Sequence, residues 1–183
     1  MRRFLFVLCA GLAFAADPAT TAQQKLDSLN NGTAKRGSVV EFSSAEVNAW
    51  ARAEVPKVVP DGIRNVSVEL GLGTGTASAL VNFLKMRQAA GKETGRLMTM
   101  MLNGERPLKV YVRVASANGR CTVYLTRVEL SGVVIAGSTL DFLIQNFFHP
   151  LYPDAHINEP FDLADDIDRI EFLPTGIKVT VKR

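Results

Sequence analysis

Two stretches of alternating apolar and polar residues, joined at Asn118-Gly119, constrain the fold of this chain more than any other feature. Before the junction, apolar residues occupy every second position from Leu108 onward, and the alternation resumes at Cys121. Asn-Gly tolerates the positive φ angles of a two-residue hairpin turn. The apolar phase then shifts by one residue before Val128, as a β-bulge would cause. The pattern therefore predicts a long antiparallel hairpin with a bend in its second strand.

Further runs of β-prone or alternating residues lie on both sides of this hairpin. Strands are predicted at residues 38–42, 63–72, 77–83, 170–172 and 177–181. In the strand predicted at residues 63–72, Leu72 is expected to point inward together with the other apolar residues of the alternation. The glycine-rich stretch 71–75 lacks the G-x-G-x-x-G spacing of a dinucleotide loop and precedes a strand, so it predicts a hairpin or a bulge. Since no repeat or linker divides the sequence, we expect one α+β domain dominated by long antiparallel strands.

A helix start is encoded at Ser43. Ser43 and Glu46 have the spacing of a capping box, in which each side chain binds a backbone N–H group at the helix start. Apolar residues follow at helical spacing as far as Val58, and Pro56 is expected to end or bend the helix before that residue. A thinner apolar stripe predicts another short helix within residues 17–31.

The most apolar stretch outside the N-terminal leader is 138–153. Its apolar residues repeat at helical spacing and its polar residues take the opposite side, which predicts a strongly amphipathic helix over 138–149. This helix covers either an ordinary core or a ligand, and the pattern is compatible with both. The preceding residues 133–136 are apolar on both faces of a predicted strand, so they are expected to be deeply buried or covered.

Residues 1–15 have the three parts of a secretory signal: a positively charged start, an apolar run and a small-residue cleavage motif. The apolar run is about half of the roughly 20 residues that span a bilayer. We therefore expect export to a bacterial periplasm or to the extracellular space. A tether and short helix at 16–37 and a single domain at 38–183 would follow the signal.

Charge and cysteine content narrow the possible partners. Removing Arg2 and Arg3 with the leader leaves 19 of the 21 basic residues against 18 acidic ones, so the mature chain is nearly neutral. This balance counts against nucleic acid as a partner. Cys121 is the one cysteine outside the leader, so stability must come from a packed core without an internal disulfide. Its apolar neighbours predict a buried thiol and not a nucleophile.

Candidate catalytic and metal-binding residues are few. His149 and His156 lie in a proline-containing segment, where helical spacing does not fix ligand geometry, and His149 is interpreted as a favourable charge near a helix C-terminus. The acidic residues of 162–168 lack the calcium-loop pattern. The sequence contains no G-x-S-x-G elbow. We therefore expect no catalytic residue, no metal, no cofactor and no enzymatic activity.

Segment 85–106 is a basic, methionine-rich insertion between two strands. Methionine side chains adapt to variable apolar shapes, so Met98 and Met101 are candidate contacts for an apolar ligand. A small packed helix is the alternative. The basic residues of the segment are candidates to receive an anionic head group. They are Lys85, Arg87, Lys92 and Arg96.

The order of elements resembles a known superfamily. A capped helix opens with FSSAEVNAW, a bulged strand runs through VELSGVVIAG into an amphipathic helix, and the hairpin DIDRIEFLPTGIKVTVKR closes the chain. In this order, residues 38–183 are similar to single-module bacterial envelope proteins related to the tubular lipid-binding superfamily, the relatives of bactericidal/permeability-increasing protein. The resemblance lies in element order and includes no signature residue.

This resemblance has structural and functional implications. It implies a long, strongly curved antiparallel sheet wrapped around one long helix, with further short helices. It also implies an apolar tunnel or groove for acyl chains between helix and sheet. The inward stripe of 140–151 would then line that tunnel together with Val47 and Trp50.

The combined prediction is an exported, non-catalytic protein that binds a lipid or another apolar molecule in a cavity between helix and sheet. The alternative is a structural or protein-interaction module of the cell envelope with a solid core. A membrane surface is a further candidate partner, and the oligomeric state is left open. The predicted ligand-lining residues are Val47, Trp50, Phe83, Met98, Met101, Leu140, Leu143, Ile144, Phe147 and Phe148.

Overall fold

A computed structural model describes residues 17–59, 61–91, 93, 95, 99 and 103–183. The predicted signal segment lies outside these residues, as do Lys92, Arg96, Met98 and Met101. The described helices are α1 (Pro18–Asn30), α2 (Ser44–Val58), α3 (Phe83–Ala89) and α4 (Gly137–Leu143), which continues as a π-helical segment (Ile144–Phe148). The strands are β1 (Val39–Ser43), β2 (Ile63–Gly71), β3 (Thr74–Val81), β4 (Arg106–Ala117), β5 (Arg120–Leu130), β6 (Val133–Ile135), β7 (Pro160–Asp162), β8 (Ile167–Leu173) and β9 (Gly176–Val181).

The strands form two antiparallel sheets in an α+β arrangement, as predicted. The larger sheet has the order β2-β3-β4-β5-β6, with β7 paired to β5, and the smaller sheet has the order β1-β9-β8. The turns of the larger sheet hydrogen-bond to β8: the Gly73 N–H donates to the Phe172 carbonyl (2.9 Å), and the Gly119 N–H donates to the Asp168 carbonyl (2.6 Å). The small sheet is thereby fixed to the hairpin end of the large one.

The hairpin predicted at Asn118-Gly119 is confirmed. Both turn residues have positive φ angles, 53° and 75°, and they join β4 to β5. The predicted bulge is also present in β5, where Thr126 lies between two paired positions and its hydroxyl donates to the Tyr111 carbonyl (3.0 Å). A turn and a bulge each depend on a few consecutive residues, so the local sequence is sufficient to predict them.

Two predicted strand ends were wrong. Leu72 does not face inward; it lies in the two-residue turn between β2 and β3 and is 78% exposed. Phe83 does not extend β3. It begins α3 instead, because the Asn82 side chain accepts a hydrogen bond from the Lys85 N–H (3.2 Å) and thereby caps that helix. The helix then buries Phe83 and Met86 together on one side.

The capping box of α2 is confirmed, and of the two outcomes predicted at Pro56, the end of the helix before Val58 was wrong. The Ser43 hydroxyl accepts from the Glu46 N–H (3.2 Å), and the Glu46 carboxylate accepts from the Ser43 N–H (2.7 Å). The helix continues through Pro56 to Val58. Pro56 lies in the last turn, where its missing N–H group removes one hydrogen bond at a helix end and leaves the buried face at Ala51 intact.

Glu46 also forms an ion pair with Lys25 of α1 (2.7 Å). Partial burial by itself raises the pKa of Glu46, but the Lys25 ammonium and the hydrogen bonds from Ser43 outweigh it, so the pKa lies below its ordinary value. A carboxyl with a lowered folded-state pKa stabilises the fold above its unfolded pKa, and that contribution is lost as the pH falls through the folded-state pKa.

We therefore expect the wild-type free energy of unfolding to fall more than that of Glu46→Gln as the pH drops below about 4 to 5, the ordinary carboxyl range. Glutamine keeps the capping box and removes the charge, so it is a matched control. Urea unfolding curves at a series of pH values measure the difference. Parallel loss of stability in the two proteins would mean that the Lys25–Glu46 pair contributes nothing.

The region before and within the predicted amphipathic helix differs from expectation. Val133 and Val134 of β6 are 62% and 52% exposed, so deep burial was wrong: β6 is a short strand at the edge of its sheet.

The helix is confirmed at Gly137–Phe148, but its last five residues are π-helical. The longest helix among the described residues is α2, with 15 residues. None of the described helices has the length and apolar character needed to cross a membrane.

Two apolar clusters hold the elements together. The first lies between the larger sheet and the helices α2, α3 and the π-helical segment, and includes Val59, Val81 and Phe147. The second lies between α1, α2 and the smaller sheet, and includes Phe42 and Val179. The separation of these clusters determines which predicted site residues can meet.

Candidate functional site

An apolar cavity of about 300 Å³ lies between α4 with its π-helical continuation and the larger sheet. This volume is at the lower end of the range for small-molecule sites, about 300 to 1,000 Å³. Every described residue that lines it is apolar. These residues are Phe83, Met86, Leu108, Val110, Val112, Val123, Leu125, Val128, Leu140, Leu143, Ile144, Phe147, Phe148 and Ile157.

The sheet wall of the cavity depends on the bulge at Thr126. In a regular strand Leu125 and Val128 would point to opposite faces, because side chains alternate with a period of two. The extra residue in β5 brings both to the cavity face, beside the alternating residues of β4. Ile157, in the loop after the π-helical segment, completes this wall. The next residue, Asn158, fixes the loop to β5: the Asn158 N–H donates to the Val123 carbonyl (2.9 Å), and the Asn158 Oδ1 accepts from the Leu125 N–H (2.8 Å).

The helical wall is fixed by an aromatic contact. Phe147 is 2% exposed and meets Phe83 of α3 edge to face, with ring centroids 4.9 Å apart. The π-helical geometry is shown by the His149 N–H, which donates to the carbonyl of Ile144 five residues earlier (2.9 Å). Phe148 lines the same cavity and packs against Tyr152 (5.2 Å between centroids). Single π-helical turns are rare and occur frequently at functional sites.

The topology and this cavity are the features by which relatives would be recognised. No family model, curated protein or solved structure matches the chain. The residues of the cavity must therefore be interpreted from their own chemistry.

The structure brings together six of the ten predicted ligand-lining residues at the cavity: Phe83, Leu140, Leu143, Ile144, Phe147 and Phe148. Val47 and Trp50 are elsewhere. The Trp50 indole donates to Gln23 of α1 (2.8 Å), and Trp50 packs against both apolar clusters, while Val47 packs against the second. Met98 and Met101 lie outside the described residues. The ligand-lining role itself stays a prediction.

Several residues of the cavity wall were not predicted as site residues. The alternation of β4 and β5 placed Val110, Val123 and Leu125 on one face of a sheet, so a signal for them existed in the sequence. The sequence contains no such signal for Ile157, because this residue lies in an irregular loop whose position depends on the hydrogen bonds of Asn158 to β5. Sequence spacing therefore identified the helical wall and left the sheet wall unassigned.

Neither of the two described head-group candidates lines the apolar cavity. The NH2 group of Arg87 donates to the Glu93 carbonyl (3.3 Å). Lys85 lines a separate cleft of about 560 Å³ whose walls contain basic, acidic and apolar residues, such as Arg52, Asp61 and Ile63. Lys92 and Arg96 lie outside the described residues.

The titratable groups near the cavity offer little acid–base chemistry. Cys121 is buried, as predicted, with 4% of its surface exposed. Burial raises the pKa of its thiol, and burial also raises the pKa of Tyr152. His156 lies 3.8 Å from the Glu159 carboxylate and stacks on Phe161. Within the described part of the chain, no three histidine, cysteine or acidic side chains are grouped as metal ligands would be. What the cavity can do is bury an apolar group.

Proposed function

We propose that this protein binds a lipid or another apolar molecule, without catalysis, in the cavity between the π-helical segment and the larger sheet. The observation that carries the proposal is the cavity itself: about 300 Å³ of space whose described walls contain no polar side chain. The cavity is partly open to solvent, so its apolar side chains are in contact with water. An apolar ligand would remove that surface from water and add packing contacts along the walls.

Binding would derive from burial of apolar surface. Each square ångström of apolar surface removed from water contributes about 25 cal/mol, from which the cost of association is subtracted. An engineered apolar cavity of about 150 Å³ already binds benzene. The cavity here is about twice that volume, which supports an aliphatic or aromatic ligand larger than benzene.

Export and the superfamily resemblance belong to the same proposal. The leader-like residues 1–15 support delivery to a periplasm or the extracellular space, where a lipid carrier or sensor of the cell envelope would act. A bulge in β5 and an irregularity in the pairing of β2 with β3 each bend a strand locally. The described residues depart from what the resemblance implies in two ways: the sheet is not strongly curled, and α4 with its π-helical continuation spans only residues 137–148.

The proposal is tested by native mass spectrometry of the full chain, purified without detergent, before and after extraction with organic solvent. We expect the protein to carry an apolar molecule before extraction and to take up a fluorescent fatty acid afterwards. A folded, extracted protein that takes up no fatty acid, hydrocarbon or aromatic probe would contradict the proposal.

A second candidate function, a protein-interaction module, is favoured by the exposed apolar residues of β6. An edge strand with exposed apolar side chains is a template for pairing with another chain, and a second copy is the simplest occupant. Val133 and Val134 are exposed on this edge, and Phe142 of the adjoining helix is 46% exposed.

If β6 joins two copies, sedimentation of the wild-type protein shows a dimer and Val134→Lys shifts it to a monomer. Glu129 pairs with Val134 across the strands, so a lysine there gains a carboxylate neighbour and should not prevent folding. A wild-type monomer at high protein concentration would eliminate this candidate and leave ligand binding unaffected.

A further inference from the structure

The sheet edges formed by β1, β2 and β8 are already occupied by other parts of the chain. At the edge of β2, the Asn48 side chain donates to the Val68 carbonyl (2.7 Å) and accepts from the Val68 N–H (2.8 Å). At the edge of β1, the Lys25 ammonium donates to the Glu41 carbonyl (2.7 Å). The edge of β8 receives the hydrogen bonds of the hairpin turns. Backbone groups that are occupied in this way are not free to pair with a further chain.

The edge of the larger sheet at β6 lacks this protection. Within the described part of the chain, the backbone of β6 pairs with β5 and with no other strand, side chain or turn. Ser131 and Gly132, which join β5 to β6, have φ angles of 53° and 80°, as in a type I′ turn. The residues that flank such a turn, Leu130 and Val133, form a hydrogen-bonded pair, and hydrogen-bonded pairs alternate along a hairpin. The N–H and carbonyl of Val134 therefore point away from β5, to the open edge.

The side chains of β6 suit pairing with a second copy of the same strand. Charged residues commonly protect edge strands, and β6 has none. If two copies pair antiparallel about an axis at Val134, this residue lies opposite the partner's Val134, and Val133 lies opposite the partner's Ile135. Each of these pairs joins β-branched apolar side chains, which are favourable neighbours across antiparallel strands. A twofold axis makes the contact self-complementary and closed, so it produces a dimer and not a fibre.

We infer that two copies of this chain associate through β6, across a twofold axis at Val134, where each Val134 N–H donates to the carbonyl of the partner's Val134. This pairing rests on the second candidate function and adds the partner and the register to it. Ile135 pairs with Val128, which lines the cavity, so both side chains are on the cavity face of the sheet. The two cavities therefore lie on the same side of one continuous antiparallel sheet.

Hydrogen exchange of single amides tests the register. Measured by NMR on the full chain at increasing protein concentration, exchange of the Val134 amide should slow by about tenfold or more as the dimer forms, because its N–H gains an acceptor. Exchange at Val133 and Ile135 should change much less, since their N–H groups already donate to β5. A dimer in which the Val134 amide exchanges as fast as in the monomer would overturn the pairing.

Val134→Pro removes only the N–H group that points to the open edge, and proline is tolerated in an edge strand at such a position. Sedimentation equilibrium should show dimerisation weakened about thirtyfold, because both hydrogen bonds at the axis are lost and each contributes a factor of about five. Val134→Thr is the matched control: it keeps the N–H and the β-branched shape, so it should dimerise within about threefold of wild type. Thermal unfolding should show that both variants are folded.

The possible outcomes separate this pairing from the two candidate functions. A wild-type dimer that Val134→Pro leaves intact would overturn the β6 pairing and leave a protein-interaction module with another interface. A wild-type monomer at every concentration would eliminate both the pairing and that module. Uptake of the fluorescent fatty acid, measured on the same samples, tests ligand binding independently, because the Val134 side chain lies on the face of the sheet opposite the cavity.

Discussion

Phe147→Ala is expected to lower the free energy of unfolding by about 3 to 5 kcal/mol. Phe147 is 2% exposed, belongs to the first apolar cluster and meets the ring of Phe83 at 4.9 Å. Removing its ring takes away buried surface and an aromatic contact, and it enlarges a cavity that already exists. Since domains of this kind are stable by about 5 to 15 kcal/mol, the loss is a large part of the total.

Phe142→Ala is the matched control, because Phe142 is on the same helix, five residues away, and is 46% exposed. Its exposed ring buries little surface and keeps only an edge-to-face contact with Phe147 (6.2 Å between centroids), so we expect a cost of about 1 kcal/mol. Urea unfolding followed by circular dichroism measures both. Equal destabilisation by the two substitutions would mean that Phe147 does not anchor the helical wall.

Val110→Phe is expected to weaken ligand binding on the order of tenfold while preserving the fold. Val110 is half-buried in β4 and lines the cavity. The larger side chain would occupy the volume of about two methylene groups of the ligand, each of which contributes about fourfold to affinity. Overpacking usually destabilises a core by about 1 to 3 kcal/mol, but here the ring enters empty space, and phenylalanine is favoured in strands.

Thr76→Phe is the control for Val110→Phe. Thr76 of β3 pairs with Tyr111, so it lies on the opposite face of the same sheet from Val110. The same ring there should leave fatty-acid affinity unchanged, and thermal unfolding should show both variants folded. Undiminished binding by a folded Val110→Phe protein would place the ligand outside this cavity.

The elements that could be predicted from sequence are those determined by near neighbours. The Asn118-Gly119 turn and the capping box at Ser43 each depend on two to four consecutive residues. The bulge at Thr126 was visible because it shifts the apolar phase of one strand. The amphipathic stripe of Leu140 to Phe148 likewise follows from helical period alone.

Errors occurred where a tertiary or capping contact overrides an alternating pattern. Phe83 continues the alternation of β3, yet Asn82 caps a helix there and Phe83 packs against Phe147 from another part of the chain. Val133 and Val134 have the composition of a buried strand and lie at an exposed edge. Burial of such a run depends on what covers it, which its own sequence does not state.

The sequence by itself determined two apolar surfaces: one face of a long bulged hairpin and one stripe of a helix. Periodicity fixes which side chains share a face, because it follows from 3.6 and 2.0 residues per repeat. Only the tertiary structure decided that these surfaces leave a cavity of about 300 Å³ between them, partly open to solvent, instead of closing on each other. The gap between two packed layers is set by distant contacts, here α3 against Phe147 and Asn158 against β5.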